Sequence, residues 1–419
     1  MRVLRYAAIC AALVGLLVPP VVAQAQLNPC PAGQPKIKFY TSWPLQGAMI
    51  PEGTGMKNGV AMAVEGAGQK VIGHCIEVIN LDDASPQTGK WDGAVEAENA
   101  NKAVADPDTM VYIGTYNSGA AKVSIPITNR AHMMQITPAN TYPGLTKKIG
   151  AGPGEPEIYR PTGTVNYFRP FPADDIQGAV GARWAKKMGH KKVFILDDQE
   201  LYGKGIADVF ESEAKKIGIQ VLGHEGIDWK QPDQKPVLTK IKATGVDLVY
   251  MGGVIETGVQ PIVRQMKDLG MVMPSVRFMG PDGFFEDELF KGATCEAVEA
   301  VGFRMTFASL PFEQLTGAGG KAYKMYKEKF KIEPTSYALY AYDAARIAIE
   351  AVKRAGKKDR DAIRKAALTI KSFDGINGKF SFDANGDSDS KVMSGYGAEG
   401  CKEGKPKFKF LQVLQGAGF

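Results

Sequence analysis

Apolar positions along this chain fall into short unbroken runs, separated by longer stretches with helical spacing. The runs at 37–42, 76–81, 110–114 and 133–137 read as strands. Between them, 91–105 and 119–131 carry helical composition, the first stopped by Pro107. A Gly-rich loop follows the first strand and leads into a helix near 55–65. After a Pro- and Gly-containing loop the alternation resumes. Strands are expected at 193–196, 219–222, 248–251 and 276–279, and helices at 205–217, 237–243 and 259–269. Two longer helices, 337–354 and 359–370, precede strands at 379–382 and 408–414.

Strand–helix alternation of this kind predicts an α/β fold with parallel sheets. The strands are apolar throughout, as strands covered on both faces should be. The phrases INLDD (79–83) and FILDD (194–198) are alike, each a strand closed by two acids. They point to two Rossmann-like parallel-sheet lobes of related design joined by a multi-strand hinge. The expected division is 26–172 for the first lobe, completed by about 300–385. The second runs 173–299, completed by about 386–419. Ligands of open α/β sheets bind beyond the carboxyl ends of the strands, so two facing lobes make a cleft there.

Charge and cysteines change the picture modestly. The formal net charge of +6 on 419 residues, two fewer without Arg2 and Arg5, is too small to suggest nucleic acid. Arg2 and Arg5, an apolar run to Val18, Pro19-Pro20 and Ala23-Gln24-Ala25 form the pattern of an export signal cut near Ala25. The mature chain is then exported, with no later stretch long enough to span a bilayer. It keeps Cys30, Cys75, Cys295 and Cys401, which favours disulfides. Cys30 precedes the first strand and Cys75 opens the second, neighbouring ends of a parallel sheet. The pairs Cys30–Cys75 and Cys295–Cys401 are expected.

Catalytic motifs are missing: there is no G-x-S-x-G, H-E-x-x-H or Walker sequence. His74, His132, His190 and His224 are scattered. No enzyme and no cofactor are expected. Gly53–Gly59 resembles a phosphate loop only loosely, in the wrong spacing. Asp383, Asn385, Asp387 and Asp389 alternate like calcium ligands, but glycine and glutamate fall out of place, which favours a polar turn. The informative loops are Gly114-Thr115-Tyr116-Asn117-Ser118-Gly119 and Thr137-Pro138-Ala139-Asn140-Thr141-Tyr142-Pro143. Both set hydroxyls and free N–H groups at strand carboxyl ends. Ser118 stands at a helix N-terminus, where it can cap the helix, receive a carboxylate, or do both.

These loops, with ITPANTYPGLT (136–146), DDQELYGKG (197–205), VYMGG (249–253), FMGPDG (278–283) and the FDANGD turn, give the chain its resemblance. It resembles the periplasmic substrate-binding proteins of branched-chain amino acid (Leu/Ile/Val) ABC importers along nearly its whole mature length. The resemblance implies a type I periplasmic-binding fold that closes by hinge bending. It implies a monomer in the periplasm that delivers a small solute to membrane permease and ATPase subunits. It also implies residue roles. Ser118 and Thr141 would hold the ligand carboxylate, and the carbonyl of Ala139 would take the ammonium. Glu256 would pair with that ammonium from the other lobe, and Tyr202 would reach the cleft. Tyr116, Asn140 and Asp282 complete the candidate set, with Asp174 weaker. The loop after Gly253 is one residue longer than the family pattern, which can displace Glu256. Glu52 falls where the family often presents an aromatic residue, so Trp43, Tyr116 and Phe284 become candidates for a flatter pocket. The expected ligand is an aliphatic amino acid. The alternatives are an aromatic carboxylate of the benzoate or cinnamate type, or a role as a ligand-sensing subunit.

Overall fold

A computed structural model describes residues 27–414; the expected export signal lies outside them. The first lobe opens with β1 (Lys36–Trp43), α1 (Ile50–Gly66), β2 (Lys70–Val71) and β3 (His74–Asp82). It continues through α2 (Gly93–Ala105), β4 (Thr109–Gly114), α3 (Ser118–Arg130), β5 (Met134–Ile136) and β6 (Tyr167–Phe168). Its six strands run in the order β2-β3-β1-β4-β5-β6. All pairings are parallel except the short β2–β3 hairpin.

The second lobe contains α4 (Asp174–Lys187), β7 (Lys192–Asp197), α5 (Leu201–Lys216), β8 (Gln220–Gly226) and α6 (Lys235–Ala243). It goes on through β9 (Leu248–Gly252), α7 (Val259–Asp268), β10 (Arg277–Gly280), α8 (Thr294–Ala300) and β11 (Arg304–Phe307). The chain then returns to the first lobe with α9 (Gly317–Phe330), α10 (Ala338–Ala355) and α11 (Arg360–Leu368), followed by a small hairpin, β12 (Phe373–Gly375) and β13 (Gly378–Phe380). Finally β14 (Ser394–Glu399) and β15 (Lys407–Val413) add antiparallel strands to the second sheet, ordered β15-β14-β11-β10-β9-β7-β8. The second sheet holds the chain through Phe307, so the return begins after β11 rather than near 300. Every residue of the central strand β4 is buried, whereas the edge strand β15 alternates between exposed and half-exposed positions.

Both expected disulfides form, Cys30–Cys75 tying the N-terminal segment to β3 and Cys295–Cys401 tying α8 to the β14–β15 hairpin. The Gly53–Gly59 segment, expected as a loop giving way to a helix start, lies wholly inside α1. The reason is packing. A Cβ on Gly55 would come within 2.0 Å of Thr335 Oγ1, and one on Gly59 within 2.0 Å of the Ala338 carbonyl. The glycines let α1 lie directly against the start of α10, and that tight packing offsets their poor helix propensity.

Where the chain crosses between lobes, the crossings hold one another. Arg169 and Asp387, from two different crossings, pair through backbone and side chain. Arg169 Nε and Nη2 donate to Asp387 Oδ1 at 3.0 and 2.8 Å, with Arg169 wholly buried. Asp387 is therefore a hinge anchor. Asp383 accepts the N–H groups of Asn385 and Asp387, and Asp389 accepts that of Ser381, making the segment a polar turn. Arg169 Nη1 also donates to the carbonyls of Tyr142 (3.0 Å) and Asn140 (3.4 Å), which ties the hinge to the loop that follows β5.

Candidate binding cleft

The strand ends of the first lobe form a pre-ordered rim. Thr137 Oγ1 accepts the N–H groups of Ala139 and Asn140 at 2.9 and 2.8 Å and donates to the Thr115 carbonyl at 2.9 Å. Asn140 bridges the two loops: its Nδ2 donates to the Tyr116 carbonyl (2.6 Å), and its Oδ1 accepts from the Tyr167 hydroxyl (2.8 Å). The Asn140 side chain is spent on this scaffold, so it shapes the rim. Asn117 occupies the cap position of α3 without a side-chain cap, and Ser118 is the first helical residue. Ser118, 2% exposed, accepts the Tyr142 N–H at 3.4 Å. Its hydroxyl proton and the free N–H groups of the first turn remain available to an anion.

Two connected chambers lie between the lobes. The inner one, about 20 Å³, is lined by Tyr116, Ser118, Ala139 and Thr141 from one side, and by Tyr202, Val254 and Gly283 from the other. Tyr337, at the start of α10, closes its end and meets Tyr116 edge to face at 5.5 Å. The outer chamber, about 230 Å³, shares Asn117, Ser118, Tyr202 and Val254 and extends between Trp91 and Lys90 of the first lobe and Glu200, Trp229 and Glu256 of the second. The structure thus brings Ser118, Ala139, Thr141, Tyr116, Tyr202 and Glu256 together around one cavity. Sequence reading missed Trp91, Lys90, Trp229, Glu200 and Tyr337. The only signal for Trp91 was its place before a helix. Gly119 allows it, since a Cβ there would strike the Trp91 ring at 2.5 Å.

The second lobe's wall is acidic. Burial pushes Glu256 up to about 7, with Asp198 and Glu200 adding to the rise and Lys90 opposing it. Burial also holds Asp198 at about 7, although Thr257 Oγ1 and the Glu200 N–H donate to it at 2.7 and 3.0 Å. No hydrogen bond from the described residues reaches the Glu256 carboxylate. Asp282 sits behind the wall, accepting from the Tyr202 hydroxyl at 2.6 Å, and its second oxygen is unpartnered. Burial raises both Asp282 and the neighbouring buried Asp174. These two therefore support Tyr202 and the hinge side of the cleft.

The remaining candidates are structural. Trp43 is fully buried and donates to the Gly53 carbonyl at 3.1 Å, and Phe284 packs on Phe278 in the second lobe's core. Glu52 is buried in the first turn of α1, where it accepts the Tyr337 N–H at 2.9 Å behind the inner chamber. Among the histidines, His190 faces Asp247 and His224 sits between Asp197 and Glu211.

A family model described as periplasmic binding protein matches residues 36–396. The chain belongs to the periplasmic binding proteins. It is 30% identical over 353 residues to an amino acid binding protein of Pseudomonas aeruginosa, covering 82% of this chain and 85% of the relative. It is also 30% identical to a Leu/Ile/Val-binding protein homologue of Brucella abortus, with the same coverage of each chain. Among solved structures, the leucine-binding protein of Thermotoga maritima aligns with a TM-score of 0.77 at 24% identity, over 90% of this chain and 98% of that one. A solute-binding protein of Rhodopseudomonas palustris in complex with p-hydroxybenzoic acid aligns at 0.76 and 19% identity, over 90% and 96%. The two structures establish the shared fold. A member of this family is a solute-binding protein of an ABC transporter, not an enzyme, and its place is outside the cytoplasm. Among the described residues no helix is long and apolar enough to cross a membrane.

Proposed function

We propose that this protein captures a small amino acid, of the aliphatic class, in the interlobe cleft and delivers it to an ABC importer. The carrying observation is the polarity of the cleft. One wall offers a helix N-terminus with Ser118 and Thr141, and the other offers the Glu256 carboxylate, which takes no hydrogen bond from the described residues. A zwitterion has matching ends. Stripping its water is costly unless both ends find partners, and only the closed pose presents both walls at once. In this reading Ser118 and Thr141 hold the ligand carboxylate. The Ala139 carbonyl and Glu256 receive the ammonium, and Tyr202, braced by Asp282, closes over the site. The Pseudomonas amino acid binding protein and the Brucella Leu/Ile/Val-binding protein homologue, both relatives of this chain, support an amino acid ligand. The protein acts as a monomer in the periplasm after loss of its leader near Ala25, docking on permease and ATPase subunits.

Isothermal titration with a panel of amino acids tests this. An aliphatic amino acid should bind, and Ser118→Ala with Thr141→Ala should abolish the signal. Retained binding in that double variant, or no binding by any amino acid, sinks the proposal. A second reading, an aromatic carboxylate, draws on Trp91, Tyr202 and Trp229 around the outer chamber. An engineered apolar cavity of about 150 Å³ takes benzene, so a chamber of about 230 Å³ has room for a ring. The same titration with benzoate and p-hydroxybenzoate separates the two.

A further inference from the structure

Lys90 joins the two walls of the outer chamber. It stands on the first lobe between β3 and α2, yet its ammonium donates to the backbone carbonyl of Glu256 on the second. It also lies 3.4 Å over the face of Trp229, again on the second lobe. A half-buried cation held by a carbonyl and an indole face has given up much of its water for these contacts. Its surroundings explain why it is there. Glu256, Glu200 and Asp198 all act on Lys90 electrostatically from one side of the cleft, opposed by burial and by Lys230 of like sign. Glu256 and Glu200 leave their carboxylates without hydrogen bonds from the described residues. Three acids on one wall repel each other unless a cation stands among them.

We propose that Lys90 sets the charge preference of the cleft. It is a cation supplied by the protein itself, so the site takes ligands with a single ammonium and rejects those that bring a second one. Because both of its contacts cross the cleft, the same residue clamps the empty lobes together. The inference rests on the amino acid reading above for its ligand arm and on the observed contacts for its clamp arm.

The test uses the full mature chain, its Lys90→Met and Lys90→Arg variants, and L-leucine and L-lysine as probes. Titration calorimetry should show wild type preferring leucine. Lys90→Met should shift the lysine-to-leucine affinity ratio toward lysine by about tenfold or more, because a ligand ammonium then fills the vacated acidic corner. Lys90→Arg should keep the wild-type preference. Small-angle scattering of the ligand-free proteins should show Lys90→Met more expanded than wild type. An unchanged affinity ratio together with unchanged dimensions overturns the proposal. If wild type binds neither probe, the amino acid reading fails on its own. Lys90 is then judged by scattering: expansion in Lys90→Met upholds the clamp, and equal dimensions refute it.

Discussion

The two walls of the cleft are built on opposite terms. On the first lobe the residues that shape the two rim loops are already committed: Thr137 and Asn140 between them hold five backbone and side-chain partners, and Arg169 anchors the same loop to the hinge. What is left over is a neutral set of donors at the start of α3. On the second lobe the acids are held above their ordinary range, with Glu256 and Asp198 both near 7, and the Glu256 carboxylate takes no hydrogen bond from the described residues. A rigid neutral receptacle faces an acidic wall whose nearby cation, Lys90, is lent by the other lobe. The difference teaches how such a cleft divides its labour. On the reading proposed above, the organised wall binds first at little entropic cost, and the acidic wall adds to binding on closure, when the ligand ammonium reaches it.

The largest effect should come from cutting the rigid half loose. Asp387→Ala leaves Arg169 buried without its anion, which typically costs about 3–5 kcal/mol. Denaturant unfolding should show that loss, and a change under about 1 kcal/mol would mean that the crossing is not the anchor argued for here. Next is the acidic wall. Glu256→Gln keeps size and shape but removes the charge, and should weaken an amino acid by about 1.5–3 kcal/mol at pH 8. Benzoate, which has no ammonium, should lose nothing. Equal losses for both ligands would erase the distinction between the walls.

Asn140→Ala tests the rigid wall more gently. It strips the Tyr116 carbonyl and the Tyr167 hydroxyl of buried partners, a cost of about 1–3 kcal/mol in stability. Amino acid and benzoate affinities should fall together, because both use the carboxylate end. Here the limits of sequence reading are visible. The fold was legible because buried parallel strands write continuous apolar runs; Ser118, Ala139 and Thr141 stood out as candidates because they directly follow strand ends, and Tyr202 came from the family resemblance alone. Asn140 was in the right loop, but only the structure shows its amide turned into the scaffold. The helix starts earlier than expected, and Gly55 and Gly59 within it answer to Thr335 and Ala338, nearly three hundred positions away. Tyr337 comes from that same distant segment, and Lys90, Trp91 and Trp229 enter the cleft only once both lobes face each other. None of these has a local pattern to announce it.

The smallest effect, and the sharpest comparison, is with pH. Glu256 and Asp198, and Glu96 beneath the first sheet, are each raised to about 7 in the folded protein. An acid raised on folding binds more protons in the native state between its unfolded value and its folded one. Stability should therefore fall as pH rises from about 5 to 8, and be greatest where these acids are neutral. Ligand binding should run the other way. An ammonium prefers ionised Glu256, so amino acid affinity should rise across the same interval, by up to about tenfold. Thermal unfolding and titration calorimetry at matched pH values would expose the opposed slopes. In Glu256→Gln the affinity slope should flatten while most of the stability slope, carried by Asp198 and Glu96, persists. If both slopes had the same sign in the wild type, the acidic wall would not be waiting for a cation, and the contrast between the lobes would have to be drawn on shape alone.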